Sequence, residues 1–226
     1  MICLIDGDLI VYRVGFSTED VDAPIALWRA NMMIEDINYA CNADSYQVFL
    51  TSSDKSNFRY TIDPAYKANR VQPKPRYYNE LREYLCNRHN ARMVFGREAD
   101  DEMGINQTSS SVICSIDKDL KQIPGSHYNF VKKEHFTVSP LQGTQFFYKQ
   151  ILMGDSSDGI AGLHGVGPKK ADKHIDPIMH EGEMWRRVLE LYSLKHEDYF
   201  KRAIKAGQLL KIMTKEDEGI WQPPLS

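Results

Sequence analysis

In the first half of the chain, short apolar runs alternate with longer stretches whose apolar residues recur every third or fourth position. Ile2–Ile5 is an unbroken apolar run and predicts a buried strand, turned at its end by Asp6-Gly7-Asp8. Ala26–Ala40 predicts an amphipathic helix, with Leu27, Ile34, Ile37 and the following Cys41 near helical spacing. Tyr46–Leu50 predicts a second strand, followed by Thr51-Ser52-Ser53-Asp54. Tyr77–Arg88 reads as a helix, with Leu81 and Leu85 one turn apart. Ala91–Phe95 reads as a third strand running into Gly96-Arg97-Glu98-Ala99-Asp100-Asp101. Ser111–Ile116 is a fourth, ending in Asp117-Lys118-Asp119. Tyr128–Val131 and His135–Val138 are weaker strand segments, and from Leu141 onward the pattern is mostly helical.

Strands alternating with helices predict an α/β fold with a central, mostly parallel sheet. Such sheets bind ligands outside the carboxyl ends of their strands. Four predicted strands are each followed by acids: Asp6, Asp54, the Glu98/Asp100/Asp101 set and Asp117/Asp119. These acids should converge on one edge of the sheet. Converging carboxylates repel one another and suffer desolvation, so they need cations between them. Two Mg²⁺ or Mn²⁺ ions about 4 Å apart can share such a cluster and promote displacement at phosphorus. No His or Cys stands at these strand ends, which favours hard, oxygen-preferring ions over zinc. Taken singly, an aspartate after a strand is an ordinary turn former or helix cap, a reading that suits Asp8, Asp20 and Asp44.

A second concentration of chemistry lies in Met153–Lys173. Asp155 and Asp158 stand three apart, and a glycine-rich turn follows, Gly162-Leu163-His164-Gly165-Val166-Gly167. Pro168 opens a predicted helix bearing Lys169, Lys170 and Lys173. Bare backbone N–H groups at a helix start, beside lysines, suit a phosphate. His164 reads as a turn or surface residue. Farther upstream, Tyr66, Lys67, Arg70, Lys74 and Arg76 form a basic stretch with Tyr77 and Tyr78. Lys67 and Arg70 could hold a scissile phosphate and stabilise developing charge. Tyr66 could stack on a base or serve as a core tyrosine.

Composition narrows the setting. The chain has 226 residues, 42% hydrophobic and 26% charged, with net charge −3. At a sequence pI of about 6.2, phosphate contacts require lysines and arginines segregated into patches. The four cysteines, Cys3, Cys41, Cys86 and Cys114, form no C-x-x-C pair and read as buried thiols of a reducing cytoplasm. The first residues start a strand without a signal-peptide pattern, and no apolar run approaches about 18 residues, so a membrane span is not expected.

In sequence, Leu4-Ile-Asp-Gly-Asp8, Glu98-Ala-Asp-Asp101, Ser115-Ile-Asp-Lys-Asp119, Gly154-Asp-Ser-Ser-Asp-Gly-Ile160 and Gly165-Val-Gly-Pro-Lys-Lys-Ala171 resemble the motifs of the 5′-nuclease superfamily. That superfamily includes flap endonucleases, the 5′-nuclease domains of bacterial DNA polymerase I and phage 5′→3′ exonucleases. Asp54-Lys-Ser-Asn-Phe-Arg59, Asp63-Pro-Ala-Tyr-Lys-Ala-Asn-Arg70 and Gly207-Gln-Leu-Leu-Lys-Ile-Met213 are similar to stretches of the 5′→3′ exonucleases of T-seven-like bacteriophages. The resemblance implies a PIN-like 5′-nuclease fold, with a catalytic α/β region over 1–140 and a helical helix–three-turn–helix region over 141–226, packed as one unit. It implies an arch between about Asp63 and Arg92, short here and disordered without DNA. It also implies a first metal region at Asp6, Asp54, Glu98, Asp100 and Asp117, and a second at Asp117, Asp119, Asp155 and Asp158. Asp101 would be a direct or water-mediated ligand. Asp54 departs from the usual strand-end position and is anchored instead by the Asn57-Phe58-Arg59 match. Lys67, Arg70 and Asp117 would be catalytic. Tyr66, Lys67, Arg70, Lys74, Gly165, Gly167, Lys169 and Lys170 would meet DNA, and Gly162, Gly165 and Gly167 would offer carbonyls to K⁺.

The implied activity is hydrolysis of duplex DNA from 5′ ends or at 5′ flaps, with RNA–DNA hybrid as a further substrate. The implied protein is a monomer of the host cytoplasm serving phage DNA replication, recombination or host-DNA degradation. A PIN-type ribonuclease would also cluster acids on an α/β sheet, but it lacks the glycine-rich element. An inert DNA-binding module would have lost acids that are complete here.

Overall fold

The computed structural model describes residues 1–224, so the last two residues of the expected 141–226 region lie outside it. A six-stranded sheet has the order β3-β2-β1-β4-β5-β6. Its members are β1 (Ile2–Asp6), β2 (Ser45–Thr51), β3 (Arg92–Val94), β4 (Ser111–Cys114), β5 (Gly125–Asn129) and β6 (Glu134–Val138). All neighbours pair in parallel except β5 with β6, which is antiparallel. The expected mostly parallel sheet is therefore present.

The inner strands are apolar throughout because both faces are covered. On one face, Cys3, Ile5, Val48, Leu50 and Cys114 pack against helices α1 (Gly7–Phe16), α2 (Ala23–Ala40) and α4 (Tyr78–His89), separated from β2 in sequence by the single turn α3 (Arg59–Ile62). On the other, Leu4, Phe49 and Ile113 meet Ala99 and Met103 of α5 (Ala99–Asn106) and Ile212 from the end of the chain. Gly7 is required where α1 leaves β1: a Cβ there would lie 2.6 Å from the Phe49 carbonyl oxygen. That close approach pulls the start of α1 down onto β2.

The C-terminal part is helical, as expected. It comprises α6 (Pro140–Met153), α7 (Pro168–Ile175), α8 (Glu181–Ser193) and α9 (Tyr199–Leu210) around Tyr148, Ile151, Trp185, Val188 and Tyr192. Between α6 and α7, β7 (Gly154–Asp155) pairs with β8 (Ile160–Ala161) and pinches off the loop carrying Asp158. Gly154 adopts φ +69°, and a Cβ there would lie 2.3 Å from the Gly162 nitrogen. Only glycine tolerates that turn. No helix among the described residues is long and apolar enough to cross a membrane.

Element boundaries shift where local chemistry outweighs periodicity. Helix α2 starts at Ala23, ahead of the expected Ala26, because Pro24 suits the first turn. Strand β4 stops at Cys114 because Ser115 onward turns into the cleft described below. The expected arch over 63–92 is smaller than its sequence span. Within it, α4 is a sheet-covering helix whose Leu81 and Leu85 are fully buried, so that part of the span is no arch. Over 63–77 most residues are exposed, with Tyr66, Pro75 and Tyr77 buried.

Candidate active site

Each acid reaches the cleft by a local device. Asp6 ends β1 and caps α1, accepting the Leu9 amide at 3.1 Å and the Ser115 hydroxyl at 2.9 Å. Glu98 is the N-cap of α5, which projects Asp100 from its first turn. Asp117 and Asp119 follow β4, with the Asp119 amide donating to Asp117 Oδ1 at 2.8 Å. Asp155 and Asp158 come from the pinched loop. The Ser157 amide and hydroxyl both donate to Asp155 Oδ1, at 2.8 and 2.6 Å. Together Asp6, Glu98, Asp100, Asp117, Asp119, Asp155 and Asp158 line one cavity of 310 Å³ at the carboxyl ends of the strands.

The basic stretch closes this cleft from the other side. The Lys67 amide donates to the Asp158 carbonyl at 3.0 Å, and Lys67 takes a left-handed φ of +58°. A non-glycine residue held there is strained and is stabilised by its surroundings. Its ammonium pairs with Glu98 and lies 3.6 Å from Asp158, while Arg70 pairs with Asp158. Lys118 enters from a third direction, 3.5 Å from Asp155. Among the described residues, no three cleft carboxylates bring their oxygens within 4.8 Å of one another. They are spaced around the cavity with basic side chains between them.

The electrostatics match that spacing. Burial, reinforced by Asp8 and Asp117, pushes Asp6 up to about 7. Burial and the charges of Asp117 and Asp155 push Asp119 up to about 7 as well. Asp100 is raised well above the usual carboxylate range by burial and by Asp6, Asp117 and Glu98. Burial pulls Lys67 down, but Glu98 and Asp158 overcome it and hold the ammonium charged. The cleft thus carries excess negative charge that its lysines only partly offset. The donors lining it are carboxylates, with no imidazole or thiol among them, a set that fits hard divalent cations.

Several expected site residues stand elsewhere. Asp54 is exposed outside the cavity, and its Oδ1 accepts the Ser56 amide at 2.9 Å in a tight loop. Ser52 and Ser53, which follow β2, line the cleft instead. Asp101 does not line the cavity either. Its four oxygen lone pairs take two Arg59 contacts at 2.6 and 3.0 Å, the Met213 amide at 3.0 Å and the Glu98 amide at 3.0 Å. Tyr66 is no stacking platform: it is 4% exposed, and its hydroxyl donates to Asp158 at 3.1 Å. Lys74 is exposed and lies over the Tyr78 ring, 4.1 Å from its centroid.

In the glycine-rich turn, Gly162 packs against the Met153 backbone, and Gly165 takes φ +77°. Gly167 caps α7, and Lys169 and Lys170 are exposed. Lys170 donates its ammonium to the Gly165 carbonyl at 2.7 Å, so one expected K⁺ ligand already holds a cation.

Sequence reasoning also passed over Asp8, which lines the cleft rather than merely turning the chain. It accepts from Arg82 at 2.7 Å and from the Thr51 amide at 2.9 Å, joining α1, β2 and α4. Its i, i+2 relation to Asp6 at a strand end was the available signal. Arg59 had no such signal, because its partners lie 42 and 150 residues away.

No family model matches the chain. It is 27% identical over 205 residues to an exodeoxyribonuclease of Enterobacteria phage T3, covering 80% of this chain and 68% of that protein. It is 25% identical over 245 residues to a 5′-3′ exonuclease of Buchnera aphidicola, covering 93% and 85%. Its fold matches a bacteriophage T5 flap endonuclease solved with DNA and metal ions, at TM-score 0.66 and 19% identity, over 92% of this chain and 85% of that one.

Proposed function

The chain belongs to the 5′-nuclease superfamily, and from that premise we propose that it is a metal-dependent 5′→3′ exonuclease that also cleaves 5′ flaps. The observation that carries this reading is the convergence of eight carboxylates, Lys67 and Arg70 on one cleft. Asp6, Glu98, Asp100 and Asp117 would hold a first Mg²⁺ or Mn²⁺ ion. Asp117, Asp119, Asp155 and Asp158 would hold a second. When bound, such ions activate a water nucleophile and neutralise charge on the phosphoryl oxygens.

The remaining work falls to the chain itself. Lys67 and Arg70 are poised on the acids and would turn to the scissile phosphate as it enters, fixing its orientation and stabilising charge in the transition state. The Ser115 hydroxyl orients Asp6, and Ser157 orients Asp155, so both carboxylates present defined lone pairs. The α7 N-terminus with Lys169 and Lys170 would hold duplex phosphates without reading bases. K⁺ at Gly162, Gly165 and Gly167 would have to displace the Lys170 ammonium. The substrate class is 5′-ended or flapped duplex DNA, with RNA–DNA hybrid also accepted. The setting is phage DNA replication, recombination or host-DNA degradation by a monomer in the host cytoplasm.

The test is digestion of 5′- and 3′-labelled duplex, flap and RNA–DNA hybrid substrates, with EDTA controls. Stepwise loss of the 5′ label and EDTA-sensitive flap cuts are expected. Release from 3′ ends, or cleavage persisting in EDTA, would overturn the reading.

A further inference from the structure

The sheet that carries the acids also buries a second, chemically opposite cluster. Cys3 of β1, Cys41 at the C-cap of α2 and Cys114 of β4 are 0%, 4% and 0% exposed. Their sulfurs all lie within 4.8 Å of one another, and Cys41 Sγ is 3.7 Å from Cys114 Sγ. Two ligands of a tetrahedral thiolate site with metal–sulfur bonds of about 2.3 Å stand about 3.8 Å apart. The Cys41–Cys114 pair already has that separation.

The three residues come from distant points in the chain, so nothing in their sequence spacing announces them. Strand register puts them together: Cys3 and Ile5 share a face of β1, and Ile5 pairs with Cys114. Cys41 also lines a 430 Å³ surface cavity that includes His135, which gives the cluster a route to solvent. The His135 ring stacks on Tyr128, 4.4 Å between centroids, over the same end of the sheet.

We propose that Cys3, Cys41 and Cys114 form a binding site for one thiophilic metal ion of the Zn²⁺, Cd²⁺ or Cu⁺ class, separate from the carboxylate cleft. Soft thiolates select such ions, and the cleft's oxygens select hard ones. Each thiol that ligates gives its proton to solvent, so uptake releases protons and strengthens as pH rises. The bound ion would cross-link β1, β4 and α2.

Cd²⁺ is the probe, titrated into the full chain under saturating Mg²⁺ while thiolate-to-metal charge-transfer absorption is followed. One equivalent of Cd²⁺ should saturate the band and raise the thermal midpoint. Cys41→Ser and Cys3→Ala should each weaken apparent affinity by at least about tenfold, with far-UV circular dichroism confirming that both variants fold. Cys86→Ser and Asp100→Asn should leave the band unchanged. Absence of the band in the wild-type chain, or a band of undiminished affinity in a folded Cys41→Ser or Cys3→Ala protein, would overturn the proposal. In that case the three thiols serve only as core packing.

Discussion

The cleft at the strand ends and the ion-pair clasp directly behind it are built from the same residue type, and Asp100 and Asp101 put one carboxylate in each. Asp100 points into the cavity among other acids, and its pKa is driven up. Asp101 is fully buried; burial pushes it up too, yet Arg59 overrides that and holds it below the usual range. Arg59 adds bonds to the Leu209 and Lys211 carbonyls at 2.8 and 2.7 Å, tying α3 to the end of α9. Burial alone therefore does not distinguish a working carboxylate from a structural one. What distinguishes them is whether the surrounding protein already satisfies the charge.

The comparison predicts opposite phenotypes for two neighbouring substitutions. Asp100→Asn should lower Mg²⁺-dependent cleavage on the order of 10³-fold or more, with unfolding stability unchanged or raised because repulsion is relieved. Asp101→Asn leaves a buried guanidinium short of its partner and should cost about 3–5 kcal/mol in urea unfolding. If the two variants lost stability equally, the division between cleft and clasp would be wrong.

Lys67→Ala sharpens the cleft side. It should lower single-turnover cleavage by roughly 10²–10³-fold while duplex affinity changes by only a factor of a few. A large loss of affinity with normal turnover would assign Lys67 to ground-state binding instead.

A pH series separates the two environments thermodynamically. Asp6 and Asp119 titrate at about 7 in the folded chain but near about 3.9 when unfolded. Between those values the folded chain keeps protons that the unfolded chain has lost, so stability in EDTA should fall as pH rises from about 4 to about 7. The drop should be on the order of 5–10 °C in the thermal midpoint, and millimolar Mn²⁺ should reverse it. Asp101 has the opposite sign. Its contribution is complete above about pH 4 and is lost as pH falls through its lowered folded value. A midpoint in EDTA that rises steadily from pH 4 to 7 would contradict the crowding of the cleft acids.

Asp8 tests the boundary, since it lines the cleft yet is already paired with Arg82. Asp8→Asn should cost about 1–3 kcal/mol in stability and reduce turnover far less than Asp100→Asn does.

These contrasts also explain what was legible in the sequence. Apolar runs ending in acids located β1, β4 and the Asp6, Glu98, Asp100, Asp117 and Asp119 positions, because a strand's end fixes where its next residue points. The Asp155–Asp158 pair and glycine turn were legible because their spacing is local. Asp101 looked like one more cleft acid because sequence shows the carboxylate but not Arg59, 42 residues earlier. Asp54 was misplaced because it stands three residues past the end of β2, in a tight loop closed by its own contact with the Ser56 amide. Tyr66 left two readings open, and core packing against Phe147, Ile160 and their neighbours decided between them. The thiol cluster was invisible for the same reason as the clasp: its members lie far apart in sequence and meet only in the folded chain.

The most direct measurement is calorimetric titration of Mn²⁺ into the wild-type chain and Asp100→Asn at about pH 6.5, in buffers of different ionisation enthalpy. The cleft described here predicts two ions per wild-type chain with net proton release as Asp6 and Asp119 ionise, and weakened binding in Asp100→Asn. Absence of binding at millimolar Mn²⁺, or identical isotherms for the two proteins, would contradict it.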